Sequence, residues 1–307
     1  YVVALGQARL GLPSRDYYLL PDAKYVAFRK AYRDYVTRVQ ELAGIRDAAA
    51  KADRIIALET ELAKVQWTPE RSRDIKQIYN PMDRARLTAL APQFDWPTWL
   101  KASGLGNVPT IVAFETTAIA ATGKMLDSVP LATWKDYSAF HFVRTHAQYL
   151  PKAIDDANFA FYGTTLRDQP EQRARWKRGV QMLNQAMGEA IGQLYVDRHY
   201  PPESNRQMRE LIANLRAGLE ERIKANTWMD AATKKEALVK LASFDPRIGH
   251  PIKYVDYSDI RVERDDVLGN AVRAEKFAWD LQLSRLGKPV DRDLWDMTPQ
   301  EVNAYYN

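Results

Sequence analysis

The sequence predicts a mainly α fold with a few short strands. Three observations carry that prediction. Apolar residues recur at three- and four-residue steps over most of the 307 residues, the spacing that lines one face of a helix. Gly, Pro and short polar residues interrupt those stretches where helices start and stop. Strand-like composition is confined to brief segments at 1–10, 110–114 and 302–307, rich in β-branched and aromatic residues.

Taken in order, residues 1–10 read as a strand that Gly11 and Pro13 break, with Ser14 the N-cap of a short helical start. A helix follows over 24–43, its face lined by Tyr25, Phe28, Tyr32, Val39 and Leu42, with Gly44 placed to end it. A second covers 48–64, with Ile55, Leu58 and Leu62 on one side. Residues 79–83 read as a turn into a helix that stops near Pro92, and 94–100 begin another short helix. After the strand at 110–114 come helices at 115–126 and 132–162, the latter the longest helical stretch. Trp176, Val180, Leu183, Met187, Ile191 and Leu194 form the stripe of a helix over 172–199 that Pro201 and Pro202 terminate. Helices at 206–226, 231–243 (capped by Asp230) and 265–286 complete the reading. Residues 302–307 then form a strand with no obvious partner nearby. No fixed-period repeat appears, which argues against a regular solenoid.

The length permits about two domains. The absence of cysteine rules out disulfides, thiolate nucleophiles and Cys-based metal sites. The net charge of +5 is spread through mixed acidic and basic residues, so no nucleic-acid partner is expected. The densest basic cluster, Arg173, Arg175, Lys177 and Arg178, reads as a solvated helix face flanking a buried Trp176. No apolar run is long enough for a transmembrane segment. Residues 1–5 are too short for a signal-peptide core, and the missing initial Met leads us to expect residues upstream.

The chemistry-bearing residues do not converge. His141 and His146 do not share a helix face as an i,i+4 metal pair would; with His199 and His250 they read as surface or capping residues. The zincin pair His-Glu-x-x-His is absent, as are the P-loop, the dinucleotide-binding glycine motif and the nucleophile elbow. Glu59 and Glu61, Asp155 and Asp156, and Asp265 and Asp266 read as solvated helix carboxylates.

Five exact strings stand out in order: residues 9–18 (Arg-Leu-Gly-Leu-Pro-Ser-Arg-Asp-Tyr-Tyr), 161–165 (Phe-Tyr-Gly-Thr-Thr), 192–196 (Gly-Gln-Leu-Tyr-Val), 227–235 (Thr-Trp-Met-Asp-Ala-Ala-Thr-Lys-Lys) and 302–306 (Val-Asn-Ala-Tyr-Tyr). Together they resemble the neprilysin family of zinc metallopeptidases, which includes endothelin-converting enzymes and bacterial oligopeptidases. The resemblance implies a large helical lid lobe of a two-lobed, gluzincin-type peptidase over 1–264, and the start of a thermolysin-like catalytic lobe, with its first strand, over 265–307. It also implies that Asn303 and Ala304 hold the backbone of a peptide substrate by strand addition. An amide suits that task, since it both donates and accepts.

The family's zinc ligands and catalytic residues follow the Asn-Ala-Tyr-Tyr string. The resemblance therefore implies a zinc endopeptidase for the full-length protein, with neither catalytic residues nor metal ligands in these 307 residues, an internal piece inactive by itself. Its partners would be peptide substrates and the missing C-terminal catalytic lobe. Its location would be periplasmic or membrane-associated. The rival reading is a helical binding or scaffold module without enzymatic activity.

Overall fold

In the computed structural model, which describes residues 1–305, strand β1 (Val3–Leu5) is followed by α1 (Asp16–Leu19), α2 (Ala23–Leu42) and α3 (Ala48–Val65). Next come α4 (Ile75–Ile78), β2 (Asn80–Met82), α5 (Arg84–Leu90), α6 (Trp96–Ala102), β3 (Ile111–Ala113) and α7 (Thr116–Ser128). α8 (Leu131–Thr145) and α9 (Lys152–Phe159) follow, and α9 runs on into a π-helical turn at Ala160–Thr165. α10 (Arg175–His199), α11 (Pro202–Ala225), α12 (Ala231–Ala242) and α13 (Val267–Leu283) complete the order. The mainly α fold class is borne out.

Contacts divide the chain into two units. The first comprises Tyr1–Ala174 and Val262–Pro289; the second comprises Arg175–Arg261 and the residues from Val290 on.

The first unit has two cores. In one, α2, α3, α8 and the π-helical turn bring together Tyr32, Tyr35, Val36, Ile55, Phe140 and Phe161. Tyr35 stacks on Phe161 with ring centroids 5.0 Å apart, an offset geometry that adds to the area buried. The other core surrounds a small sheet of order β1-β3-β2. β1 runs parallel to β3, Val3 opposite Ile111, and β2 runs antiparallel to it, Pro81 opposite Val112. All three residues of β3 are buried, as the central strand requires. Met82, Leu87, Trp96, Leu100 and Ile119 pack around it, with Leu283 of α13 against the same cluster.

β2 corrects the turn expected at 79–83. Pro81 lacks an N–H and is tolerated because β2 is an edge strand; the pairing that makes it a strand is with β3, Pro81 opposite Val112, beyond any local signal. A second correction concerns 132–162, which is not one helix. α8 ends at Thr145, a 3₁₀ turn occupies Ala147–Tyr149, and Pro151 begins α9 as its N-cap. Proline cannot serve a helix interior because its ring displaces the preceding turn. Nor does Ser14 cap α1, which starts at Asp16 with no side-chain cap bond.

Other helix ends match the sequence closely. Gly44 has φ of +72°; its N–H donates to the Glu41 carbonyl at 2.9 Å while Ile45 N–H donates to the Gln40 carbonyl at 2.9 Å. This is the paired closure of a Schellman motif. Asp230 caps α12 by accepting from Thr233 N–H at 2.7 Å.

In the second unit, α11 and α12 pack together, and the Arg216 guanidinium donates to the Leu241 carbonyl at 3.2 Å. α10 departs from helical geometry at Met187 (φ −147°, ψ 50°). The stripe expected to bury Trp176 does not: Trp176 is 68% exposed, and Val180, Leu183 and Leu194 are exposed as well. Met208, Leu211, Leu215 and Leu219 of α11 share that condition. Helical spacing creates an apolar face, but only a facing surface buries it, and the described residues supply none for these positions.

Replacing Gly44 by Ala places a Cβ in the left-handed region and should cost about 1 kcal/mol. The urea midpoint of the first unit measures it; an unchanged midpoint contradicts the Schellman assignment.

Candidate functional site

The first site is built around a carboxylate. Glu59 of α3 is completely enclosed, at 0% exposure. Taking an ionised carboxylate out of water costs several kcal/mol unless donors replace the water. Four donors do. The Gly11 N–H reaches it at 3.2 Å, the Tyr18 hydroxyl at 2.8 Å, the Tyr32 hydroxyl at 3.2 Å and His141 Nε2 at 2.7 Å. They come from the loop after β1, from α1, from α2 and from α8.

Arg144 completes the arrangement. Its Nε–H donates to His141 Nδ1 at 3.2 Å. That bond makes Nδ1 the acceptor, so the ring hydrogen sits on Nε2 and points at Glu59. Arg144 also lies 3.4 Å from the Tyr162 hydroxyl, which donates to the Gly11 carbonyl at 2.7 Å. Carboxylate, imidazole and guanidinium therefore stand in series. Burial, reinforced by the Glu59 charge, raises the Tyr18 and Tyr32 hydroxyls well above the ordinary tyrosine pKa. Burial also raises Tyr162, with Arg144 partly opposing it, to about 12.

This network fixes the string at residues 9–18. Tyr137 donates to the Arg9 carbonyl at 2.6 Å, and Leu12 N–H donates to the Tyr18 hydroxyl at 2.9 Å. A Cβ on Gly11 would lie 1.6 Å from the Tyr32 hydroxyl, so glycine is the only residue that leaves room there. Glu59 was expected to be solvated and His141 to be a surface or capping residue; both expectations are corrected. His146 is buried too, with Nδ1 2.8 Å from the Phe142 carbonyl. Sequence spacing could not reveal this grouping, because its members are 27 to 82 residues from Glu59 and belong to separate helices.

The second site is the segment carrying Asn303 and Ala304. Both residues are exposed. Asn303 Oδ1 accepts from the Ala304 N–H at 2.8 Å, and the Tyr305 hydroxyl accepts from Asp296 N–H at 3.0 Å. The Asn303 amide nitrogen and the Ala304 carbonyl have no partner among the described residues. Residues 302–305 form no ladder, so the strand expected there is not realised over these positions. A strand exists only when another chain segment pairs with it, and no described residue does so here. Tyr306 and Asn307 lie outside the described residues.

The family model described as Peptidase family M13 matches residues 1–251. The chain belongs to peptidase family M13. The neprilysin-type resemblance of the five strings is thus borne out. Over its whole length the chain is 37% identical to Mycobacterium tuberculosis zinc metalloprotease Zmp1 in complex with an inhibitor, with a TM-score of 0.91, and it covers 47% of that chain. Against the open state of the same protease the values are 38% identity, a TM-score of 0.89 and 48% coverage. Human endothelin-converting enzyme 1 is 28% identical over all of this chain and 41% of its own length. The M13 chain therefore spans less than half the length of these relatives.

The family's zinc does not fit the residues described. Among them no group of three or more His, Asp or Glu is arranged to hold a metal ion. Both nitrogens of His141 are already engaged, by Glu59 and Arg144. The Glu59 network orders a loop, and its carboxylate and imidazole are committed to each other and to protein donors.

Replacing Glu59 by Ala strands the donors aimed at it and should cost roughly 3–5 kcal/mol, read from urea unfolding of the first unit. A loss below about 1 kcal/mol would be that of an ordinary surface site. Stability should also fall at alkaline pH. Tyr18, Tyr32 and Tyr162 have folded pKa values above their unfolded ones. Their contribution is complete below about pH 10 and is lost as pH rises toward the folded values. Unfolding midpoints recorded between neutral pH and pH 11 give the sign; a rising or flat profile contradicts it.

Proposed function

We propose that the full-length protein is a zinc metalloendopeptidase that hydrolyses short peptides. In this reading the described residues supply the chamber lid and the segment that holds the substrate. The catalytic residues and zinc ligands come from outside them. The observation that carries the reading is the pairing of M13 membership with an exposed Asn303–Ala304 segment whose amide donor and carbonyl acceptor are unpaired.

The chemistry assigned to this segment is positional. A peptide laid beside residues 302–305 would complete the missing ladder. The Asn303 amide would bond the substrate main chain, and the Ala304 carbonyl would accept from a substrate N–H. Main-chain pairing holds many sequences in one register without reading their side chains. The small Ala304 side chain lets the substrate backbone approach. Binding an extended peptide this way restricts it to the conformation the reaction requires.

The partners we propose are peptide substrates and a C-terminal catalytic lobe. The exposed apolar faces of α10 and α11 support the second partner, since contiguous apolar surface of this kind is normally covered. We place the lid lobe at 1–264 and the start of the catalytic lobe at 265–307, a division by family lobe that differs from the contact grouping, in which α13 packs within the first unit. A periplasmic or membrane-associated location accords with this reading; no helix among the described residues is long and apolar enough to cross a membrane.

Two measurements test the proposal. The isolated 307-residue chain should bind no stoichiometric zinc and cleave no peptide; zinc together with phosphoramidon-sensitive hydrolysis would refute the assignment of the catalytic site elsewhere. In the full-length protein, Asn303→Ala should lower kcat/KM by the equivalent of about 1–3 kcal/mol, and an unchanged value removes Asn303 from the substrate site.

A further inference from the structure

We infer that Gln300 is a positioning residue. It moors the Asn303–Ala304 segment to a break in α10 and thereby sets where a bound peptide lies. The inference rests on the substrate-holding role proposed above for that segment and extends it to a residue that does not touch the substrate.

One face of α10 receives the segment. Asn184, Gly188 and Gly192 all meet residues 298–300 despite the break at Met187. A Cβ on Gly188 would lie 2.7 Å from Thr298 Cγ2, and one on Gly192 would lie 2.6 Å from Pro299 Cδ. These approaches are too close for any side chain larger than hydrogen without movement of the segment. The two glycines therefore form a shallow seat, and Thr298 and Pro299 occupy it.

Gln300 locks the seat. Its Nε2 donates both hydrogens, one to Asn184 Oδ1 at 3.0 Å and one to the Gly188 carbonyl at 3.0 Å. The Gly188 carbonyl adjoins Met187, where α10 leaves helical geometry. The two acceptors that the glutamine amide joins, Asn184 and Gly188, stand on either side of that break. Gln300 thus bridges the break with a side chain just three residues before Asn303.

The geometric consequence is direct. Residues 301–305 have no ladder of their own to hold them. Their register along α10 is set by what precedes them: two glycine contacts and two hydrogen bonds from one amide. Thr298 Oγ1, 3.0 Å from Glu301 Oε1, and the Asp296 N–H, which donates to the Tyr305 hydroxyl, tie the segment only to itself. Without the Gln300 amide, nothing described bonds residues 300–304 to α10.

The test is a double-mutant cycle in the full-length protein, reading kcat/KM on an internally quenched oligopeptide. Gln300→Ala should lower kcat/KM by roughly tenfold to a hundredfold, the size expected when a binding group is misplaced by about 1 Å. Asn303→Ala should lower it too. The double variant should match Asn303→Ala alone within about twofold, because Gln300 acts through Asn303. A purely structural role for Gln300 would instead multiply the two losses. Gly188→Ala, which pushes on Thr298 from the other side, should reproduce the Gln300→Ala loss and its coupling to Asn303. Thermal unfolding of each variant checks that the protein remains folded. If Asn303→Ala is impaired but Gln300→Ala is not, or if the two losses multiply, the positioning role is overturned and the substrate-site reading survives. If Asn303→Ala leaves kcat/KM unchanged, the substrate-site reading falls and the positioning role with it.

Discussion

The buried carboxylate of Glu59 is the interaction on which the first unit depends. One charge with no access to water must be surrounded by donors, and the donors come from four different parts of the chain. Satisfying Glu59 therefore specifies how the loop after β1 and helices α1, α2 and α8 meet. The aromatic cluster around Tyr32, Tyr35, Phe140 and Phe161 supplies the apolar burial. That burial is non-directional and would tolerate several arrangements. The hydrogen-bond geometry of Glu59 does not. Gly11 shows how tightly the two requirements are combined: its N–H serves the carboxylate, its carbonyl serves Tyr162, and its missing side chain leaves space for the Tyr32 hydroxyl.

The second unit follows a different logic. Its helices α10 and α11 carry well-formed apolar stripes that stay exposed. What organises the candidate substrate segment there is close backbone approach rather than a packed core. Glycines at 188 and 192 admit the chain, and a glutamine amide bonds it to a carbonyl beside the helix break. An ordered segment with an unpaired main-chain edge is suited to receive an extended peptide. The M13 relatives include zinc metalloproteases, and among the described residues of this chain no metal-binding group is assembled.

These two arrangements also separate order from chemistry. The four-donor site at Glu59 contains the residue types of a catalytic relay, yet both carboxylate oxygens and both His141 nitrogens are engaged, and it serves to hold the family string at 9–18. The Asn303–Ala304 segment contains nothing titratable, yet its polar main chain and amide are open. The contrast is between satisfied ionisable groups in a buried place and open hydrogen-bonding capacity in an exposed one.

The amino-acid sequence by itself determined the local elements and the family. Periodicity placed α2, α3, α7, α12 and α13, and the chemistry of Gly44 and Asp230 marked helix ends, because these depend on neighbours within a turn or two. The five strings identified the M13 relationship. Tertiary structure decided what depends on partners distant in the chain. β2 is a strand only because β3 lies beside it, and 302–305 is not one because no described residue pairs with it. Glu59 is buried with a half-buried His141 against it because separate helices converge there, and Trp176 stays exposed because no described surface faces it. Burial, strand pairing and the meaning of a polar residue are properties of a pair of surfaces, and a linear sequence states only one member of each pair at a time.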